Sequence, residues 1–426
     1  MNTRLWIPAS FTLALFACDP ASDRADERAT AAAVEEEAPA SPRLEAPAKE
    51  RHVAAVHFEA KRDAVMPNAR AGFEQVVELI NKHYVDGPLS EDALWTGAIE
   101  GVMGRLHQLE GHPINALLSP DELSELEIGT KGQIVGVGVM IEFVANVLVI
   151  RDVIPGAPAA TAGLQAGDRI LGVDGVRLKD NDMHAIVGKI RGEAGTTVEL
   201  FVQRDTEEWT VEITRGAVHV ASVEGRLLEG GVGYLRINAF TEKTADEVAA
   251  TLETLTGEGM KALVLDLRTC PGGLLDASVA VADALLPAGA RVVTVRGRDG
   301  AETQYDTKGD GRWQQLPLAV LVGPKTASGA EILAAALAHH DRGPLIGEPP
   351  LGKRTVEGIH ELGDRWAIKL TGSRFVTPGE VEGAGLRPDI TIPTAPDQKM
   401  APLRDLNVDA DPPLRAAVDL LEAKAG

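Results

Sequence analysis

The chain has 426 residues, enough for two or three domains with proper cores, and carries 63 acidic against 42 basic side chains for a formal charge of −21. That balance, with no basic stripe anywhere, argues against nucleic-acid and anionic-membrane partners and for a well-solvated surface. Aromatic residues make up 4%, so the cores must be built mainly from Val, Leu, Ile and Ala.

Arg4 precedes an apolar run, Leu5 to Ala17, that is too short to span a bilayer and reads as an export signal. It ends in Leu15-Phe16-Ala17-Cys18, which resembles the bacterial lipoprotein signal. The resemblance implies cleavage before Cys18, lipidation of its thiol, and an exported protein tethered to a membrane on the periplasmic side. Cys270, the other cysteine, would then stand alone, so no disulfide is expected. No other stretch is apolar for long enough to cross a membrane, which leaves the lipid as the only expected anchor. Residues 19–54, rich in Ala, Glu, Pro and Arg without apolar periodicity, read as a disordered tether.

Residues 55–130 show helical spacing: Ala71 to Tyr84 and Glu91 to Leu109 predict helices, and Ser119-Pro120-Asp121-Glu122 starts a third. Near Gly132 the period changes to two, and Gly136 to Ile141 and Val147 to Ile150 predict strands. Pro155-Gly156-Ala157-Pro158-Ala159, Ala162-Gly163-Leu164 and Gly167-Asp168-Arg169-Ile170 follow in order. Residues 131–215 thereby closely resemble a bacterial PDZ domain. The resemblance implies that a peptide C-terminus is added as a strand, with its carboxylate held by the loop that matches Gly136, Val137, Gly138 and Val139.

From 216 to 398, strands alternate with helices in an α/β pattern. Val232–Ile237, Lys261–Arg268 and Leu316–Val322 predict strands; Thr244–Leu255, Leu274–Leu286 and Glu331–His339 predict helices. Residues 399–426 predict a helical tail. At the last strand-to-helix turn stands Thr326-Ala327-Ser328-Gly329-Ala330-Glu331-Ile332. A serine there can present its hydroxyl beside helix N–H groups. Ser328 and Glu331 also spell the S-x-x-E capping box, and the turn taken alone favours the cap.

Three further stretches shift that balance. Leu265 to Asp276 contains the loop Thr269-Cys270-Pro271-Gly272-Gly273; Leu351-Gly352-Lys353 follows the serine; and Lys369-Leu370-Thr371, Thr377-Pro378-Gly379 and Gly385 to Ile390 close the sequence. In this order and spacing, residues 71–426 resemble the carboxyl-terminal processing proteases of the S41 class, PDZ-containing Ser/Lys peptidases. The resemblance implies an α/β and α+β multidomain fold: an N-terminal helical segment, an inserted PDZ β-domain and a ClpP/crotonase-like α/β protease core. It implies a serine endopeptidase with Ser328 as nucleophile and Lys353 as base, and no cofactor. Oxyanion donors would be the backbone N–H groups of Gly329, Gly272 and Gly273. Substrates would be unfolded or apolar C-terminal tails of exported proteins, and an adaptor or activator protein is a compatible partner.

The chain departs from the family at Glu357, where glutamine is usual four residues after the lysine. A carboxylate beside Lys353 favours the ammonium form and opposes its use as a base, so either Glu357 is itself protonated in a buried site or turnover is slow at neutral pH and improves in alkali; the second is the expectation. Thr269-Cys270 replaces paired asparagines, and Thr326, Gly329 and Ala330 stand in a normally serine-rich turn. The contrasting reading is a weakly active or inactive PDZ-containing, peptide-binding adaptor lipoprotein. His339-His340-Asp341 has poor spacing for a metal site. Asp306 to Gly311 superficially resembles a calcium loop, but Lys308 and Pro317 occupy ligand positions, so a hairpin turn is expected.

Overall fold

The computed structural model describes residues 5–7, 68–110, 114–144, 147–177, 189–379, 385–394 and 402–425. Cys18 and the tether lie outside the described residues. The chain divides into two compact units, Cys18–Ala98 and Met1–Ala17 with Ile99–Gly426. In the first, α1 (Ala69–His83) buries none of its residues, and Phe73 stacks at 5.0 Å between ring centroids on Trp95 of α2 (Glu91–Glu110).

The second unit is built on a six-stranded sheet in the order β11 (Val223–Leu227), β12 (Val232–Ile237), β13 (Ala262–Asp266), β17 (Leu318–Val322), β18 (Leu345–Gly347) and β21 (Ile390–Thr391). All neighbours are parallel except β11 and β12. Every residue of β12, β13 and β17 is buried, as expected for parallel strands covered on both faces. Leu235, Leu263, Leu265, Val320 and Val322 face α5 (Thr244–Gly257), α6 (Leu275–Leu285) and α7 (Gly329–His339). Tyr234, Val264, Ala319 and Leu321 face α8 (Pro412–Ala425), whose Leu414, Ala417, Val418 and Leu421 are buried. The C-terminal helix is therefore one layer of the core.

A buried polar chain fastens that layer. Arg268 forks onto Asp266 and onto Asp411, which also accepts from Leu414 N–H at the start of α8. Burial works against the charge on Asp266, but the Arg268 guanidinium outweighs it and holds the carboxyl below the usual range.

A second sheet runs β14 (Gly273–Leu274), β1 (Leu5–Ile7), β19 (Thr355–Glu361), β20 (Ala367–Val376), β15 (Arg291–Gly297) and β16 (Glu302–Asp306), with β2 (Ala116–Leu118) also paired to β20. Part of the stretch read as an export signal thus forms an antiparallel strand between β14 and β19, with Trp6 opposite both Leu274 and Glu357. After β2, α3 (Pro120–Thr130) starts on Ser119, where both halves of the capping box with Glu122 form.

The PDZ sheet is β4 (Val139–Val144), β5 (Val147–Val153), β6 (Arg169–Val173), β8 (Thr197–Arg204) and β9 (Glu207–Thr214), with β7 (Val176–Arg177) on β6 and the short α4 (Pro158–Thr161) between β5 and β6. Its core holds Val137, Leu148, Ile150, Ile170, Leu200 and Val202. The single strand expected over Gly136 to Ile141 is two. β3 (Gln133–Gly136) pairs with β10 (Gly216–His219), and β4 starts after Gly138, whose φ of 80° turns the chain. The hairpin turn expected at Asp306 to Gly311 is also corrected: β17, the next strand, belongs to the other sheet. There Asp283 accepts from the N–H groups of Lys308 and Gly309.

Candidate active site

Adjacent parallel strands β13 and β17 end at the same edge, where open α/β sheets place their ligands. The chain leaves β13 into the Thr269–Gly273 loop and leaves β17 into the Ser328 turn. Thr326, fully buried, ties them: its hydroxyl donates to Leu267 O at 2.8 Å and accepts from Gly323 N–H at 2.9 Å. Ala327 N–H donates to Cys270 O at 3.1 Å. Cys270 itself is a free, buried thiol, pushed up to about 12 by burial, so it is inert packing.

Ser328 sits at φ 57°, ψ −120°, a conformation that non-glycine residues adopt only when the surroundings enforce it. Its side chain is 0% exposed, yet Oγ has no hydrogen-bond partner among the described residues. The cap and the nucleophile readings separate here. Glu331 makes the carboxylate half of a cap by accepting from Ser328 N–H at 2.9 Å, while the hydroxyl is left over. An unsatisfied buried hydroxyl costs about 1–3 kcal/mol, so it calls for a reason beyond folding.

Glu331 does more than cap. Its carboxylate also accepts from Gly352 N–H at 2.8 Å and Lys353 N–H at 3.0 Å, with Arg354 at 3.7 Å. Leu351 N–H adds a bond to Thr326 O. The loop that bears Lys353 is thereby held against the turn that bears Ser328. The sequence pattern displays Glu331 only as a local cap; its spacing of 22 residues from Lys353 carries no local signal.

Lys353 Nζ donates to Glu357 Oε2 at 2.9 Å, with the carboxylate 0% exposed and the lysine side chain 10%. Burial raises Glu357 above the usual carboxylate range, against the opposing pull of Lys353, Thr355 and Lys369. Burial likewise raises Glu331 in spite of its three backbone donors and Arg354.

Gly272, at φ 99°, packs directly on the Ser328 turn: a Cβ there would lie 2.7 Å from Ala327 O, 2.8 Å from Ser328 Cβ and 2.9 Å from Gly329 N. Phe240 N–H donates to Gly272 O and Leu274 N–H donates to Phe240 O. Gly273 therefore turns its own N–H the other way, toward the slot between β14 and β19. Gly329 is the first residue of α7, and its N–H is one of the helix's orphan donors. The sequence-predicted Ser328, Gly329, Gly272 and Gly273 come together, and Lys353 and Glu357 stand beside them.

The PDZ loop packs on a core of its own, in which Val137 is buried. Val137 O accepts from Ala159 N–H, and Gly138 O accepts from Ile154 N–H. Because the peptides are trans, the N–H groups of Gly138 and Val139 point the opposite way, as a carboxylate nest requires. His339-His340-Asp341 serves packing: His340 Nε2 lies 2.9 Å from Arg291 O. Among the described residues, no three His, Cys, Asp or Glu side chains converge as a metal site would need, and no helix is long and apolar enough to cross a membrane.

Residues 231–392 match the peptidase family S41 model and residues 149–204 a PDZ domain model. The chain is 33% identical over 331 residues to a carboxy-terminal-processing protease of Bartonella bacilliformis, covering 76% of this chain and 74% of that one. It is 33% identical over 353 residues to a carboxyl-terminal-processing protease of Synechocystis sp., covering 80% of each. Among solved structures it resembles a photosystem II D1 C-terminal processing protease, at 28% identity and TM-score 0.45, over 77% of this chain and 94% of that one. Identity of this extent over so much of both chains shows the family: the chain belongs to peptidase family S41, among its PDZ-containing, serine-type carboxy-terminal processing proteases.

Proposed function

We propose that the chain is an exported endopeptidase that draws C-terminal tails of unfolded or apolar substrates onto its PDZ domain and cleaves them with a Ser328–Lys353 dyad. Lys353, as the neutral amine, takes the proton from Ser328 Oγ as that oxygen bonds to the scissile carbonyl carbon. The carbonyl oxygen becomes an oxyanion facing the N–H groups of Gly329 and the Gly272-Gly273 loop, each worth about 3–4 kcal/mol in such sites. Collapse breaks the C–N bond, and the Lys353 ammonium returns its proton to the leaving amine. Water then repeats the sequence on the acyl-serine.

The observation that carries this reading is the strained Ser328 turn, whose buried hydroxyl has no partner. Antiparallel pairing of Leu5–Ile7 between β14 and β19 supports extended binding of a substrate in the same slot. The apolar leader and Cys18 support a lipid-anchored location on the periplasmic side. Cleavage of a disordered protein by the parent and by Ser328→Ala tests the proposal. Loss on substitution is expected; equal, background proteolysis from both would leave the peptide-binding adaptor as the function.

A further inference from the structure

The slot beside the proposed nucleophile is filled by a piece of this same chain. Leu5–Ile7 belongs to the compact unit that holds the protease core, and among the described strands β1 alone joins β14 to β19. Its pairing is antiparallel on both flanks. Trp6 is opposite Leu274 and Ile7 opposite Gly273 on one side; Leu5 is opposite Gly358 and Trp6 opposite Glu357 on the other. The strand also lies against α6, which begins where β14 ends. Both walls of the slot are parts of the site. Gly273 follows Gly272, whose backbone packs on the Ser328 turn, and Glu357 accepts from Lys353 Nζ at 2.9 Å. Because β1 runs antiparallel to β14, its course from Trp6 to Ile7 passes from Leu274 to Gly273, toward the Gly272 side of the loop. Pro8, next in sequence, has no N–H with which to continue the ladder.

An extended peptide laid between two strand edges satisfies its backbone groups on both flanks, and a segment of the same molecule competes for that place intramolecularly. We propose that Leu5–Ile7 is an internal inhibitor: it occupies the strand slot in which a substrate must lie, so a molecule that folds with its leader attached is held inactive until the leader leaves. The inference rests on the Ser328–Lys353 reading and adds two things to it. The slot takes an extended apolar segment, here Leu-Trp-Ile, and a substrate reaches Ser328 only by displacing that segment. Cleavage before Cys18, as the lipoprotein-like signal implies, would also remove the inhibitor and so couple activity to export.

The test uses the full chain with its leader attached: parent, Trp6→Pro, Ile7→Pro and the control Trp6→Phe. Labelling of Ser328 by a fluorophosphonate and hydrolysis of a short peptide are followed at one alkaline pH, and amide hydrogen exchange is read in β14 and β19. Proline removes a ladder N–H from β1, so both rates should rise about ten-fold or more in the two proline variants, with faster exchange in β14 and β19. Trp6→Phe should stay near the parent. A synthetic peptide of residues 3–9 added to the Trp6→Pro protein should restore the parental rates, whereas the same peptide with the Trp6→Pro change should not. Rates in the proline variants equal to or below the parent's, or cleavage of the leader by the molecule's own Ser328, would overturn the proposal. If exchange quickens in the proline variants yet no protein forms a Ser328 adduct, the seat of the leader stands and the underlying serine–lysine reading is what fails.

Discussion

Glu331 joins Lys353 to Ser328 through the backbone: its Oε2 accepts from Lys353 N–H at 3.0 Å and from Ser328 N–H at 2.9 Å. A buried carboxylate with several charge-assisted bonds fixes two loops at once, so the proposed base and nucleophile share one anchor. Replacing Glu331 by Ala should lower kcat by about 100-fold through misplacement of the lysine loop. Glu331→Gln, with one acceptor oxygen in place of two, should fall between. Steady-state kinetics on a short peptide, with circular dichroism to confirm folding, checks both.

Glu331 and Glu357 also make stability depend on pH in a stated direction. Burial places both above the ordinary Glu value of 4.5, so the fold favours their protonated forms. The stability they contribute is complete below 4.5 and is lost as pH rises through their raised values. Urea midpoints measured upward from that pH should therefore decline more steeply for the parent than for Glu357→Gln. Parallel curves would show that Glu357 does not titrate in this way.

The Ser328 turn stores strain, and glycine should release it. At φ 57° and ψ −120°, glycine is tolerated where alanine is not. Ser328→Gly and Ser328→Ala should both be inactive, but the glycine variant should be more stable by about 1 kcal/mol or more. Thermal unfolding of the two variants side by side gives the comparison.

Gly272 admits no side chain. Gly272→Ala places a methyl 2.8 Å from Ser328 Cβ and 2.9 Å from Gly329 N, at a φ of 99°. Loss of the loop's oxyanion geometry should reduce kcat by about 100- to 1,000-fold.

Substrate capture can be separated from chemistry at Gly138. An added Cβ would lie 2.2 Å from Ala157 Cβ, at φ 80°, and must move the carboxylate loop. Gly138→Ala should weaken binding of a C-terminal peptide, read by fluorescence anisotropy, while hydrolysis of a very short peptide persists.

Much of this architecture is written locally. The parallel strands around Leu263 and Val320 are legible because both faces are apolar, and α7 because Ala and Leu fill it. Less legible is whatever depends on register or long-range pairing. Gly136 to Ile141 alternates as one strand would, and only the positive φ at Gly138 divides it. The segment at Asp306 resembles a turn, but its destination is a different sheet. Ser328, Lys353 and Glu357 are legible as a set; the role of Glu331 as a bridge is not.

In the proposed dyad, Lys353 activates Ser328. Mass spectrometry of the fluorophosphonate adduct, followed in time for the parent and for Lys353→Met at neutral pH, tests it most directly. An adduct on the Ser328 peptide of the parent is expected, with labelling slowed by about 100-fold or more in the variant. Equal labelling rates in the two proteins would contradict it.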